Sequence, residues 1–173
     1  MSAALAAAAL YGAPPLAGVA IARRLPPTTP LRLRRSDLLV PAGLLVQLEP
    51  YAHTAALDLG YLLLGAWVVV RMLGAASPVE RAALSLVAAG GLMNGVAILA
   101  NGRMPFAPHG SSDGGLKGVA IDAHTHLAAL GDTIPFLGKL VSPGDVLLAA
   151  GTALLVAAVV GGMSTHTAPA EAR

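Results

Sequence analysis

Five apolar runs take up about half of this chain: Ala3–Ala22, Leu38–Leu48, Leu57–Leu73, a run capped by Ser77 and ending at Ala100, and Val146–Val160. A soluble domain of 173 residues has too little interior to hide them, because 55% of the residues are hydrophobic and 12% charged. The pattern places the chain in a bilayer, whose hydrocarbon core is crossed by about 20 apolar residues in a helix. Aromatic residues make up only 3% of the chain, so its helices must meet through Ala and Gly and close backbone approach. The chain has no cysteine, which excludes disulfides, thiolate catalysis, cysteine-ligated zinc and iron–sulfur clusters. A net charge of +2 with no basic stripe carries no nucleic-acid signal.

The joins between runs set the topology. Ala3–Ala22 has no positive residue before it and Arg23-Arg24 after it, so it reads as a retained anchor with its N-terminus outside, kinked at Pro14-Pro15. The loop carrying Arg23, Arg24, Arg32, Arg34 and Arg35 is cytoplasmic by the positive-inside rule. Leu38–Leu48 is short and contains Pro41; it either spans with a partly polar end or is re-entrant. If all five runs cross, Arg71, Arg81 and Arg173 join the loop arginines inside, and only Arg103, Lys117 and Lys139 fall outside. That asymmetry favours five spans, with the polar stretch 102–141 an extracytoplasmic insert between the last two.

Three polar motifs punctuate the second half. Ser77-Pro78-Val79-Glu80 reads as a capping box with proline at the first helical position. Asn101-Gly102 reads as a helix stop, and Met104-Pro105 turns the chain away. Ser142-Pro143-Gly144-Asp145 repeats the start signal, its Asp complementing the helix dipole. Arg103 carries a guanidinium just outside a span that can hold a lipid phosphate or a carboxylate; an internal partner is favoured, with Asp132 or Asp145 the candidates.

Asp122-Ala123-His124-Thr125-His126 matches the Asp-x-His-x-His opening of metal-dependent hydrolases, with His109 a third ligand and Asp113 or Asp132 a fourth. A barrel of that kind takes roughly 250 residues, more than this chain can supply. Against the metal reading, Leu116, Val119, Ala120, Ala123, Leu127 and Leu130 recur at helical spacing and predict an amphipathic interfacial helix. On such a helix His124 and His126 point about 200° apart and cannot share an ion. Within the spans, Asn94 lies between Gly90-Gly91 and Gly95, which give a Gly-x-x-x-Gly pair and one hydrogen-bonding side chain on the fourth run. Asp58 is the one acidic side chain expected inside the hydrocarbon edge, the kind of group that marks ion or proton paths.

The segment Gly91–Pro105 with its Asn-Gly-Arg-Met-Pro, then Leu130-Gly131-Asp132 with Ile134-Pro135, then Ser142-Pro143-Gly144-Asp145-Val146-Leu147-Leu148 resembles a bacterial family of small multi-span membrane proteins that bears a domain-of-unknown-function label. The resemblance covers roughly the second half of the chain, with a weaker echo in the arginine-rich first loop. The family pattern often has an extra Gly before Arg-Met-Pro, and its insert does not depend on the His-x-His pair. It implies a membrane protein of several helices and lends no catalytic residue.

The expectation is an all-α polytopic membrane bundle of five transmembrane helices in the bacterial cytoplasmic membrane. Residues 1–163 form one domain and 164–173 a disordered polar tail. The leading function is a non-enzymatic accessory or scaffold component, with no cofactor. Its partners are the lipid bilayer and either another membrane protein or further copies of itself, met through glycine-rich helix faces. Asn94, Asn101, Arg103, Asp132, Asp145 and Asp58 are its candidate residues. A metal-dependent enzyme using His109, His124 and His126, and a small transporter or lipid-handling protein using Asp58 and Asn94, are the alternatives.

Overall fold

The computed structural model of the chain describes residues 3–24, 35–40, 54–75, 77–108 and 118–164. Four helices dominate it: α1 (Ala3–Ala22), α2 (Thr54–Leu73), α3 (Pro78–Asn101) and α4 (Pro143–Ser164), with a short 3-10 turn at Arg35–Leu38 ahead of α2. Their ends follow local chemistry. Ser77 caps α3, its hydroxyl accepting from the Glu80 N–H at 3.0 Å with Pro78 at the start. At the other end Gly102 adopts φ 73°, the left-handed conformation that stops a helix and that glycine takes at no steric cost. Ser142 precedes α4 and accepts from the Asp145 N–H at 2.9 Å.

The helices pack in the order α1–α4–α3–α2, with the α3–α4 contact the most extensive. The α3–α4 pair is antiparallel, since Asn94 reaches Asp145 while Ala83 and Val87 lie against Gly151. Glycines make this closeness possible: a Cβ at Gly151 would lie 2.7 Å from a Val87 methyl and 2.8 Å from the Ala83 carbonyl, and one at Gly144 2.7 Å from the Gly90 carbonyl. The face that packs carries Ala83, Gly90, Asn94 and Ala97, all buried. The Gly91–Gly95 pair expected at this contact lies one residue round the helix, about 100° away, and faces open space. Asn94 forms its own hydrogen bonds from the neighbouring strip, so the bundle uses a Gly-x-x-x-Asn register instead.

Two helices among the described residues, α3 and Pro143–Val160 of α4, are long and apolar enough to cross a membrane by length and composition. Gly12–Ala22 and Leu59–Leu73 are shorter apolar helices. Five spans are not supported: among the described residues two helices reach the length and hydropathy of a span, two apolar helices are shorter, and the second apolar run is described only at Leu38–Val40. The polar tail beyond Ser164 also lies outside the described residues.

The insert departs from the all-α expectation. It carries four three-residue strands: β1 (Met104–Phe106), β2 (Gly118–Ala120), β3 (Ile134–Phe136) and β4 (Lys139–Val141). β1 pairs with β2 in parallel, Pro105 opposite Val119, and on its other side Phe106 bridges to Asp132. The Asp132 N–H donates to the Pro105 carbonyl at 2.7 Å and the Ala107 N–H to the Asp132 carbonyl at 3.0 Å. β3 and β4 form an antiparallel hairpin closed by Leu137 and Gly138, both at positive φ (49° and 79°). Over its described residues, 118–130, the predicted interfacial helix is replaced by β2, tight turns and a 3-10 turn at Ala128–Leu130. Asp122 favours this outcome, because its carboxylate accepts from the His124 N–H at 2.8 Å and from the Thr125 hydroxyl at 3.0 Å, a local turn that competes with helix.

Candidate functional site

A compact polar cluster sits where the insert meets the helices. Asn94 projects from α3 between Ser142 and Asp145 at the start of α4: its amide Nδ2 donates to Asp145 Oδ1 at 2.8 Å, and its Oδ1 accepts from the Ser142 hydroxyl at 2.8 Å. Ser142 and Asp145 close the ring, the Ser142 N–H donating to Asp145 Oδ2 at 3.0 Å and the Asp145 N–H to Ser142 Oγ. Each group is used in the sense its chemistry allows. Asn offers one donor face and one acceptor face, and the aspartate collects donors beside the positive end of a helix dipole. Gly144 lets α3 approach closely enough for these bonds, since any side chain there would run into the Asn94 amide.

Asp132 lies next to this ring at the edge of β1. Its Oδ1 is buried and has no hydrogen-bond partner among the described residues. Burial first, and the Asp145 charge second, push its carboxyl up to about 6. Tyr61 of α2 is within electrostatic range of both aspartates. Between 3.8 and about 6 the folded chain keeps a proton on Asp132 that the unfolded chain has released, so stability falls as pH rises through that window and stays low above it. Asp132→Asn is expected to flatten this slope in thermal unfolding and to stabilise the protein at neutral pH by about 1 kcal/mol, allowing for solvent screening of a partly exposed group. An unchanged slope in the variant would contradict the assignment.

A second cluster ties the opposite end. Arg71, near the end of α2 and 2% exposed, meets Glu80 in the first turn of α3 at 3.2 Å and Asp37 at 3.6 Å. The Trp67 indole N–H donates to the same Asp37 carboxylate at 2.9 Å. The sequence places Arg71 at the far, cytoplasmic end of a span and Glu80 as half of a capping box. Ser77 does cap the Glu80 N–H, but the Glu80 carboxylate serves Arg71. The available signal was the spacing: an arginine and a glutamate on two helices joined by a short turn leave two opposite charges at one end of the bundle.

The remaining candidates divide. Asn101 is a clamp: its amide donates to the Ala97 and His126 carbonyls at 2.8 Å, and its Oδ1 accepts from the His126 N–H at 2.9 Å, fastening the insert to the end of α3. Arg103 is exposed and pairs with neither Asp132 nor Asp145 among the described residues. His124 and His126 are exposed, and His109 lies outside the described residues. No group of three His, Cys, Asp or Glu among the described residues is placed to hold a metal ion. The carboxylate of Asp122, held below the usual range by the His124 N–H and the Thr125 hydroxyl, serves its own turn. Asp58 falls within α2, but its side chain lies outside what is described.

A family model, described as a family of unknown function (DUF5317), matches residues 31–157. The match covers well over half of the chain, which therefore belongs to that family. No curated protein and no solved structure matches the chain.

Proposed function

We propose that this DUF5317 member is a multi-pass protein of the bacterial cytoplasmic membrane that works as a non-enzymatic accessory or scaffold. The observation that carries the reading is how its polar and apolar groups are distributed. Polar side chains between the helices are spent on one another, in the Asn94–Ser142–Asp145 ring at one end and around Arg71 at the other. Large apolar side chains stand on the outside, with Leu73 86% and Leu99 83% exposed and Leu16, Leu62 and Leu92 similarly bare. In water such a surface would drive association; in a bilayer it is what lipid covers.

The same arrangement supports a five-span topology. Asp37 sits beside Arg71 at the end of α2, whereas the chain re-enters the described structure at Thr54, where α2 begins. Those two points are separated by some 17 residues of helix, about 26 Å along its axis, so a second run that crosses fits better than one that returns to its starting side. The Arg23–Arg35 loop then shares the cytoplasmic end with Arg71 and Arg81, and the insert lies outside.

Because the chain has no cysteine, the test is direct. With the protein in the carbonate-resistant membrane fraction, Lys117→Cys should react with an impermeant maleimide in intact cells and Arg34→Cys only after permeabilisation. Labelling of both from one face would remove the five-span topology, and recovery of the protein in the soluble fraction would remove the membrane reading.

A further inference from the structure

We propose that the β3–β4 hairpin is a lipid-interface anchor, its Phe136–Leu137 tip seated among the headgroups of the membrane that α4 enters and Lys139 facing their phosphates. The proposal rests on the membrane reading above. Ile134, Phe136 and Leu137 are 38%, 41% and 43% exposed, and Pro135 between them is exposed as well. Successive strand residues point to opposite faces, so exposure at every position of β3 means that the described residues cover neither side of it. A two-stranded hairpin is at best marginally stable alone in water, and this one is apolar on both faces.

The turn adds a second observation. Leu137 and Gly138 both take positive φ, as in the two-residue turns whose first position ordinarily holds Asn, Asp or Gly. A branched side chain there is held against its local preference. What leucine supplies at that position is an apolar group at the tip.

Position and charge identify the surface that receives it. β4 ends at Val141, Ser142 follows, and the next residue opens α4, one of the two helices apolar enough to cross a membrane. Five residues separate Leu137 from Ser142, so the tip is tethered within about 17 Å of the start of that helix. In the first turn of α4, Val146 is also exposed. Lys139 is the only charged residue between Ile134 and Val141, and it is exposed beside the tip. A cation next to bulky apolar groups suits the boundary between lipid phosphates and acyl chains.

Single-cysteine variants Leu137→Cys and Phe136→Cys, spin-labelled in nanodiscs of phosphatidylcholine and phosphatidylglycerol, test the assignment; the Phe136 variant leaves Leu137 in place. Leu92→Cys on the outer face of α3 serves as the lipid reference and Ala123→Cys, in an exposed turn, as the water reference. The expected result is a ratio of oxygen to nickel-chelate collision rates at both tip positions several-fold above that at Ala123, falling towards it in Lys139→Glu. A tip label as open to the nickel chelate as Ala123, with Leu92 still lipid-exposed, overturns the anchor and leaves the membrane reading standing. A tip label shielded from both reagents means that another protein or a second copy covers the hairpin, and also overturns it. A nickel-accessible Leu92 label instead removes the membrane reading on which the anchor rests.

Discussion

Asn94→Leu is expected to destabilise the protein by about 3 kcal/mol, read as a lowered midpoint in thermal unfolding followed by circular dichroism in detergent. Leucine keeps the branching of asparagine and is larger, so no cavity opens and the loss comes from hydrogen bonding and from crowding against Gly144. The substitution leaves the Ser142 hydroxyl with no acceptor at Asn94 Oδ1 and removes the Nδ2 donor from Asp145 Oδ1. Each group stranded in the interior costs about 1–3 kcal/mol, the charged one more. Asn94→Asp should be worse still, because it sets a second carboxylate against Asp145. A variant as stable as the parent would mean that the ring adds nothing to the helix packing.

The second large effect belongs to Arg71. Arg71→Leu leaves Glu80 and Asp37 without their shared cation at a site where arginine is almost wholly buried, and a loss of about 3–5 kcal/mol is expected. The double variant Arg71→Leu with Glu80→Leu should recover part of that loss, since removing both charges also removes the desolvation penalty that a lone carboxylate suffers. If Arg71→Leu costs no more than substitution of an exposed residue, the cluster is not what joins the start of α3 to the end of α2 and the turn at Asp37.

The helix ends were legible because single residues decide them. Ser77-Pro78, Asn101-Gly102 and Ser142-Pro143 are local signals, and the structure places α3 and the start of α4 where they stand. The polar ring was not legible, although Asn94, Ser142 and Asp145 had each been singled out. Asn94 is 48 residues from Ser142 and 51 from Asp145, and they meet only because Gly90, Gly144 and Gly151 set the antiparallel register of α3 and α4. Sequence showed that glycines would pack, but not that Gly90 rather than Gly91 and Gly95 would face the partner helix. A shift of one position turns the packing face by about 100°.

The strands were hidden for a different reason. Each is three residues long, two contain proline, and the apolar spacing across Leu116–Leu130 imitates a helix. Asp122 and Thr125 settle the competition by closing a turn between themselves. Arg103 was expected to meet Asp132 or Asp145 across the insert because a guanidinium just outside a span can hold a carboxylate. Arg103 instead lies exposed directly after the left-handed Gly102. At the site itself, burial raises the Asp132 carboxyl, and Asp145, its charged neighbour, raises it further.

A double-mutant cycle on Asn94 and Asp145 tests most directly whether the polar interior of this bundle is spent on itself. The two single variants Asn94→Leu and Asp145→Leu and the combined variant are compared by thermal unfolding in the same detergent. A coupling energy of about 2 kcal/mol is predicted, with the double variant less destabilised than the sum of the singles. Strictly additive losses would show that Asn94 and Asp145 do not hold each other, and would contradict the account.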